Sequence, residues 1–529
     1  MHKTVAEDNR QAELLWSRVE LLGWSRREFL ILLGSGAVAA TLAACESQTP
    51  SPPSSQTTAS LSKPTELIYL SATTLAQAIR KKKVSSEEVV NAYLQRIEPV
   101  NPKLNAIVQL TADTALAQAR AADAALAKGE VKGPLHGVPM TIKDLFETAG
   151  VICAAGTKGR ATFVPTQDAT AVARLRAAGA VLLGKTNVSE LGLAPETDNL
   201  VYKWTDNPYD RSRTPGGSSG GEAAIIAAGG SPLGLGSDAG GSIRLPCHFC
   251  GIAGIKPTTG RVPRTGHVPP PGGALDTLWQ VGPMARFVED LSLTLPLIAG
   301  VDGRDPGIIP MPLGNPEVVK LKSLRVAFYT DNGILSPTPE TAAAVQASAK
   351  VLSDAGLVVE EARPAGIEQS FELFWGLLGA DGGAGLRMIF QMIGTTELHP
   401  LTQRRLELMR PYAISTTDFL GLLFRWDQFR STMLSFLDKY DVILCPVNAY
   451  PAMRHGTTFD DDKRPAFSYT HTYNLTGWPS VVVRSSTSPE GLPIGVQVVA
   501  RPWREDVALA VAQHLETAVG GWQPPPLAV

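Results

Sequence analysis

An excess of charge of either sign is what this chain most plainly lacks: 48 Lys and Arg stand against 50 Asp and Glu in 529 residues, a formal net charge of −2. That balance gives no pull toward a phosphate backbone, so nucleic acid is not an expected partner. Cysteine is scarce as well, with five in all. Cys247-His248-Phe249-Cys250 has C-x-x-C spacing, yet no second pair stands at matching distance for a zinc site, and no thioredoxin-like βαβ context surrounds it. These two thiols, with Cys153 and Cys445, read as packing residues; a disulfide in an oxidising compartment is the alternative. No Walker lysine motif is present, which leaves Gly234, Gly236 and Ala239, a G-x-G-x-x-A, as a weak dinucleotide pattern standing alone. No metal and no cofactor is expected, and no internal repeat is found.

Long apolar runs are missing too. The longest near the N-terminus, Phe29 to Ala44, is shorter than the ~20 residues a spanning helix needs. It follows Trp24-Ser25-Arg26-Arg27-Glu28, which looks like a twin-arginine export signal, and it leads into Leu42-Ala43-Ala44-Cys45, which resembles a lipobox. Residues 1–44 are therefore expected to be a lipoprotein-type signal and Cys45 the lipid-bearing residue, an uncleaved anchor being the alternative. Residues 45–64, rich in Ser, Thr, Pro and Gln, cannot bury a core and read as a flexible tether. The body would then be membrane-tethered through its N-terminus on the far side of a bacterial inner membrane, at the periplasmic or outer-surface face.

Residues 65 to 529 make up the body of a chain that is 44% hydrophobic as a whole and long enough for a large core. Short apolar runs at 180–184, 324–329, 442–446, 481–484 and 494–499 alternate with helical patterns, which predicts an α/β domain. Ser85-Ser86-Glu87-Glu88 is a capping box opening a helix to Ile97, 111–128 is an alanine-rich helix stopped by Gly129, and 339–355 and 505–519 read the same way.

The chemistry concentrates in Gly216 to Arg244, GGSSGGEAAIIAAGGSPLGLGSDAGGSIR, where glycines let the backbone approach a ligand and aim N–H groups at it. Upstream, PLHGVPMTIKD sets Lys143 at the end of an alternating segment, Val138, Met140, Ile142, that predicts a strand carrying the lysine inward. With GIAGIKPTTGRVP from Gly251 to Pro263 and the 24-residue spacing of Ser218 and Ser242, these motifs resemble the amidase signature family. The resemblance runs from about Thr65 to the C-terminus. It implies a single large α/β/α layered domain with a mixed central sheet covered by helices, Ser242 as nucleophile, Ser218 as a bridging serine held by a cis peptide, and Lys143 as base. It further implies an oxyanion hole of the backbone N–H groups of Ala239, Gly240, Gly241 and Ser242. Ser219, Asp238 and Arg244 are expected to orient the turn and the relay.

For such a relay Lys143 must be neutral, so the fold has to lower its pKa by desolvation; Met140, Ile142 and Leu145 are the expected apolar neighbours. Gly216, Ser218 and Gly220 also satisfy G-x-S-x-G, which would make Ser218 an elbow nucleophile with His471 or His514 available, but the preceding Asp206 to Pro215 is polar and contains proline rather than a strand. Between Ile367 and Lys439, apolar residues such as Phe371, Phe374, Trp375, Met388, Phe390, Met392, Phe424 and Trp426 crowd together as core, acyl channel or membrane-facing cap. This segment and GLPIGVQVVARPW look closer to the fatty acid amide hydrolase branch, which implies a small-molecule or lipid-like amide substrate. The alternatives are a glutamine amidotransferase subunit working with a partner, and an inactive lipid- or solute-binding lipoprotein. A homodimer is an open possibility.

Overall fold

Strand formation follows the short β-branched and glycine-rich runs, and in the computed structural model, which describes residues 64–270 and 278–528, eleven strands join one mixed sheet. They are β1 (Ile107–Leu110), β2 (Pro139–Lys143), β3 (Val181–Thr186), β4 (Leu233–Asp238), β5 (Ala253–Lys256), β6 (Gln280–Ala285), β7 (Arg325–Phe328), β8 (Val358–Glu361), β9 (Val442–Pro446), β10 (Ser480–Thr487) and β11 (Pro493–Ala500). Their order is β1-β3-β2-β4-β6-β5-β10-β11-β9-β7-β8. β3, β2 and β4 run parallel, as do β9, β7 and β8, while the strands between β4 and β9 pair antiparallel. All five apolar runs singled out in the sequence are strands. The proposed signal, Cys45 and the tether, apart from Pro64, lie outside the described residues.

Helices cover the sheet. Ser85 caps the helix Ser86–Leu104 through a reciprocal pair with Glu88. This helix runs past the expected end at Ile97, through Pro99 and Pro102, and stops where Asn105 turns left-handed. Ala112–Ala127, Pro339–Asp354 and Glu505–Val519 form where alanine-rich or capped patterns predict them. One apolar core lies between the sheet and these helices, and a second gathers around the helices Ser370–Gly379 and Thr416–Phe436. Cys153, Cys247, Cys250 and Cys445 are buried and joined in no disulfide here, in keeping with the packing reading of the C-x-x-C.

Candidate active site

Two parallel neighbours, β2 and β4, end at the same edge of the sheet, Lys143 closing the first and Ser237-Asp238 the second. Ser218 meets them from a loop whose Gly217–Ser218 peptide is cis, just before the buried helix Gly220–Ala227. Lys143 Nζ lies 2.7 Å from Ser218 Oγ, 3.0 Å from Ser237 Oγ and 3.3 Å from the Ser237 carbonyl. Every residue of β2 is buried, so the strand is covered on both faces and its alternation places Lys143 with Thr141, opposite Met140 and Ile142. The expected neighbours are thus corrected: Met140 and Ile142 point the other way. Burial still lowers the lysine from its ordinary 10.5 to about 7, against the opposing pull of Asp238 and Glu222.

Asp238 organises the serine-bearing turn. Burial alone would raise its pKa, but paired N–H donors from Arg244 (3.0 Å each) and an amide N–H from Asn474 (2.8 Å) hold it well below the usual carboxylate range. Its oxygens also accept the backbone N–H groups of Gly241 (2.8 Å), Ile243 (3.1 Å) and Arg244 (3.3 Å). This corrects the expected oxyanion donors: the N–H of Gly241 is already engaged. Among the described residues no acceptor takes the N–H of Ala239, Gly240 or Ser242, and these three remain available. Gly241 has φ +121°, and a Cβ there would lie 2.5 Å from Thr470 Oγ1. Arg244 extends the lock to Asn474 (2.5 Å) and Gln497 (3.3 Å), while Ser219 ties the two serine segments by donating its N–H to the Ser242 carbonyl at 3.3 Å.

Three participants escape sequence reasoning. Ser237, directly before Asp238, contacts the lysine, and His267 Nε2 lies 2.9 Å from Ser237 Oγ. A bridge between His267 and Phe146, in the same loop after β2 as Leu145, delivers that ring. Glu222, beneath β4, accepts from Thr186 at 2.7 Å and from Thr141, and burial pushes it up to about 7. A serine ending the Gly-Leu alternation of β4 was the one local signal available.

Ser242 lies in the wall of a cavity of about 460 Å³, together with Ala239 and Gly240. The remaining wall is mainly apolar, including Leu193, Leu245, Trp279, Phe374, Trp375, Leu378, Ile389 and Phe467. His471 stacks on Phe374 at 3.8 Å, and burial keeps it well below its ordinary pKa and so neutral. Arg405 contributes a guanidinium that donates to the Leu193 carbonyl at 2.6 Å and that burial lowers to about 10. The apolar segment after Ile367 therefore divides. Phe371, Phe390 and Trp426 are buried, Phe374 and Trp375 are buried in the cavity wall, and Met388, Met392 and Phe424 are exposed, Met388 at the cavity's edge.

The family described as Amidase matches residues 88–509. This chain belongs to the amidase family. A glutamyl-tRNA(Gln) amidotransferase subunit of Moorella thermoacetica is 36% identical over 480 residues, covering 85% of this chain and 97% of that one. Among solved structures, 6-aminohexanoate cyclic dimer hydrolase complexed with substrate has 27% identity and a TM-score of 0.78, covering 87% of this chain and 100% of its own. A fatty acid amide hydrolase has 25% identity and a TM-score of 0.79, covering 87% and 86%. By sequence identity this chain thus stands nearer the amidotransferase protein than that fatty acid amide hydrolase, whose fold it shares.

The competing motifs fail on geometry in this chain. Ser218 is bonded to a lysine rather than a histidine, and residues 206–215 form a loop, not the strand an elbow requires. Of the two histidines available to that reading, His471 stacks on the cavity wall and His514 sits in the helix Glu505–Val519. Gly234 and Gly236 lie inside β4 rather than in a strand-to-helix turn, so the dinucleotide pattern has no cradle.

Proposed function

We propose that this protein is a serine-dependent amidase that hydrolyses the C–N bond of an apolar or amphiphilic linear carboxamide. The observation that carries the reading is a fully buried lysine, poised near neutrality, 2.7 Å from Ser218 and beneath a largely apolar cavity that has Ser242 in its wall. Neutral Lys143 takes the Ser218 hydroxyl proton as Ser218 takes that of Ser242, and Ser242 Oγ adds to the amide carbonyl. The free N–H groups of Ala239, Gly240 and Ser242 face the negative oxygen that forms. As the C–N bond breaks, Ser218 returns a proton to the departing nitrogen and is reprotonated by Lys143; water then cleaves the acyl-Ser242 ester by the same route. Ser219, Asp238 and Arg244 fix the turn. The apolar wall binds the hydrocarbon part of the substrate, and Arg405 meets a polar end.

Fluorophosphonate labelling mapped by mass spectrometry tests this directly: label on Ser242 that weakens when Lys143 is replaced is expected, and label on Ser218 would overturn it. Across acyl p-nitroanilides, kcat/KM should rise about two- to fourfold per methylene until the cavity fills.

A second reading, an amidotransferase component that works with a partner, is favoured by the 36% identity to the Moorella thermoacetica protein. Co-purification with a second polypeptide, together with glutamine-dependent ammonia release, would select it. We also infer export by the twin-arginine route and anchoring through Cys45, on the strength of the Arg26-Arg27 and Leu42-to-Cys45 motifs. Among the described residues no helix is long and apolar enough to cross a membrane.

A further inference from the structure

The ammonium form of Lys143 has three hydrogens and meets three acceptors: Ser218 Oγ, Ser237 Oγ and the Ser237 carbonyl. When the lysine becomes neutral, one of these contacts must receive its lone pair, and only a group able to donate a hydrogen can do so. The Ser237 carbonyl has none to give. Which of the two hydroxyls faces the lone pair decides whether the base is aimed along the relay or away from it.

His267 settles the choice. Its Nδ1 lies 3.2 Å from the Pro269 carbonyl, which can only accept, so Nδ1 carries the ring hydrogen and Nε2 is left as an acceptor. Nε2 lies 2.9 Å from Ser237 Oγ and takes its hydroxyl hydrogen. Ser237 Oγ then presents only lone pairs to Lys143. The ring is held in place by edge-on packing against Phe146 (5.1 Å) and Trp279 (5.4 Å). Burial first, and then the charges of Lys143 and Arg264, keep it neutral by lowering its pKa to about 3. Arg264 is itself paired with Asp305 at 2.9 Å.

We propose that His267 is a positioning residue of the proton relay: by accepting the Ser237 hydroxyl hydrogen it forces the lone pair of neutral Lys143 to face Ser218. It touches neither substrate nor nucleophile. The proposal rests on the serine-amidase reading above and adds to it the residue that gives the relay its direction.

Replacing His267 with leucine frees the Ser237 hydroxyl inside a dry site. In the productive arrangement that hydrogen is then left without an acceptor, whereas donation to Lys143 satisfies it and consumes the lone pair. The unproductive arrangement wins by about ten- to a hundredfold. The test measures Ser242 labelling by a fluorophosphonate in the full-length protein, separating kinact from KI, from pH 5.5 to 9. His267→Leu is expected to lower kinact by that factor at the high-pH plateau with KI unchanged. The midpoint of the acid limb should stay or move down. Lys143 faces Asp238, Glu222 and a neutral His267, so the substitution changes no charge around it, and donation from Ser237 favours the neutral amine. A merely structural role predicts the reverse, since water entering a loosened site returns the lysine toward its ordinary value and moves the limb up.

In a Ser237→Ala background there is no hydroxyl to misdirect, so adding His267→Leu should cost nothing more; multiplying losses would overturn the proposal. Glutamine can accept from Ser237 and donate to the Pro269 carbonyl, so folded His267→Gln should keep kinact within about threefold, and a tenfold fall would also overturn it even if the leucine variant does not fold. Unlabelled Ser242 in the wild type would instead sink the serine-amidase reading and this proposal together, whereas full labelling in His267→Leu would sink this proposal alone.

Discussion

Lys143→Met should make the fold more stable and the protein inactive, and the size of the effect should depend on pH; Lys256, which burial also lowers to about 7, is present in both proteins and cancels from the difference. In the folded chain the lysine titrates near 7 against 10.5 ordinarily, so between those values the unfolded chain holds a proton that the folded chain does not. Stability therefore rises with pH across this window, and a penalty carried by the fold shrinks as pH increases. At pH 7.5, stripping the proton from Lys143 costs about 1.4 kcal/mol for each of three pH units, or about 4 kcal/mol. Methionine has a similar shape and no proton to lose, but it leaves Ser218 and Ser237 without their partner, at about 1–3 kcal/mol. The net expectation is a gain of about 1–3 kcal/mol at pH 7.5. Between pH 7.5 and 9.5 the advantage of the variant should fall by about 3 kcal/mol. Urea unfolding of both proteins, followed by tryptophan fluorescence at three pH values, reads the difference; groups that titrate alike in both cancel. A difference that is flat with pH would refute the claim that the fold holds this lysine near neutrality, as would a variant less stable at pH 7.5.

Ser242→Ala should abolish turnover and Ser218→Ala lower it by about 100- to 10,000-fold without altering circular dichroism, and wild-type activity should fall as pH drops through about 7; a rate flat to pH 5 would remove Lys143 as the base. Gly241→Ala, with φ +121° and Thr470 in the way, should lose both activity and about 1–3 kcal/mol of stability, and a wild-type melting curve would count against the described turn. Arg244→Met strands Asp238 without its partner and should cost about 3–5 kcal/mol by chemical denaturation, with little change expected only if the pair is solvated. Arg26→Lys combined with Arg27→Lys should leave the protein in the cytoplasm on fractionation, and normal export of that variant would contradict the twin-arginine reading.

Lys143, Ser218 and Ser242 were legible because their motifs are local, and the principal strands because short apolar runs alternate with capped helices. The desolvating face was misread because alternation locates a core only when one side of a strand is wet. β2 is buried on both, and its polar face, Thr141 and Lys143, looks inward as well. Gly241 was assigned as an oxyanion donor because nothing local shows that Asp238, three residues earlier, folds back onto its N–H. His267 left no signal at all: a bridge to Phe146, across 267 − 146 = 121 residues, brings it to the lysine. The apolar stretch after Ile367 gave composition without orientation, so Phe374 on the cavity wall and Phe424 in solvent looked alike.

The last two strands of the chain occupy the middle of its sheet: β10 and β11 stand between β5 and β9. The Asp238–Arg244 pair is likewise completed by Asn474 and Gln497. On the ribosome, then, Ser242 emerges 474 − 242 = 232 residues before Asn474, the earlier of these two, which at ~5–20 residues per second is roughly 10–50 s of synthesis. By the end of that interval β1 to β6 and β7 to β9 have been made, the two sides of a sheet whose joining strands, β10 and β11, are still to come. A chain that ended before Ser480 would leave β5 and β9 as open edges facing a gap, and Arg244 without Gln497.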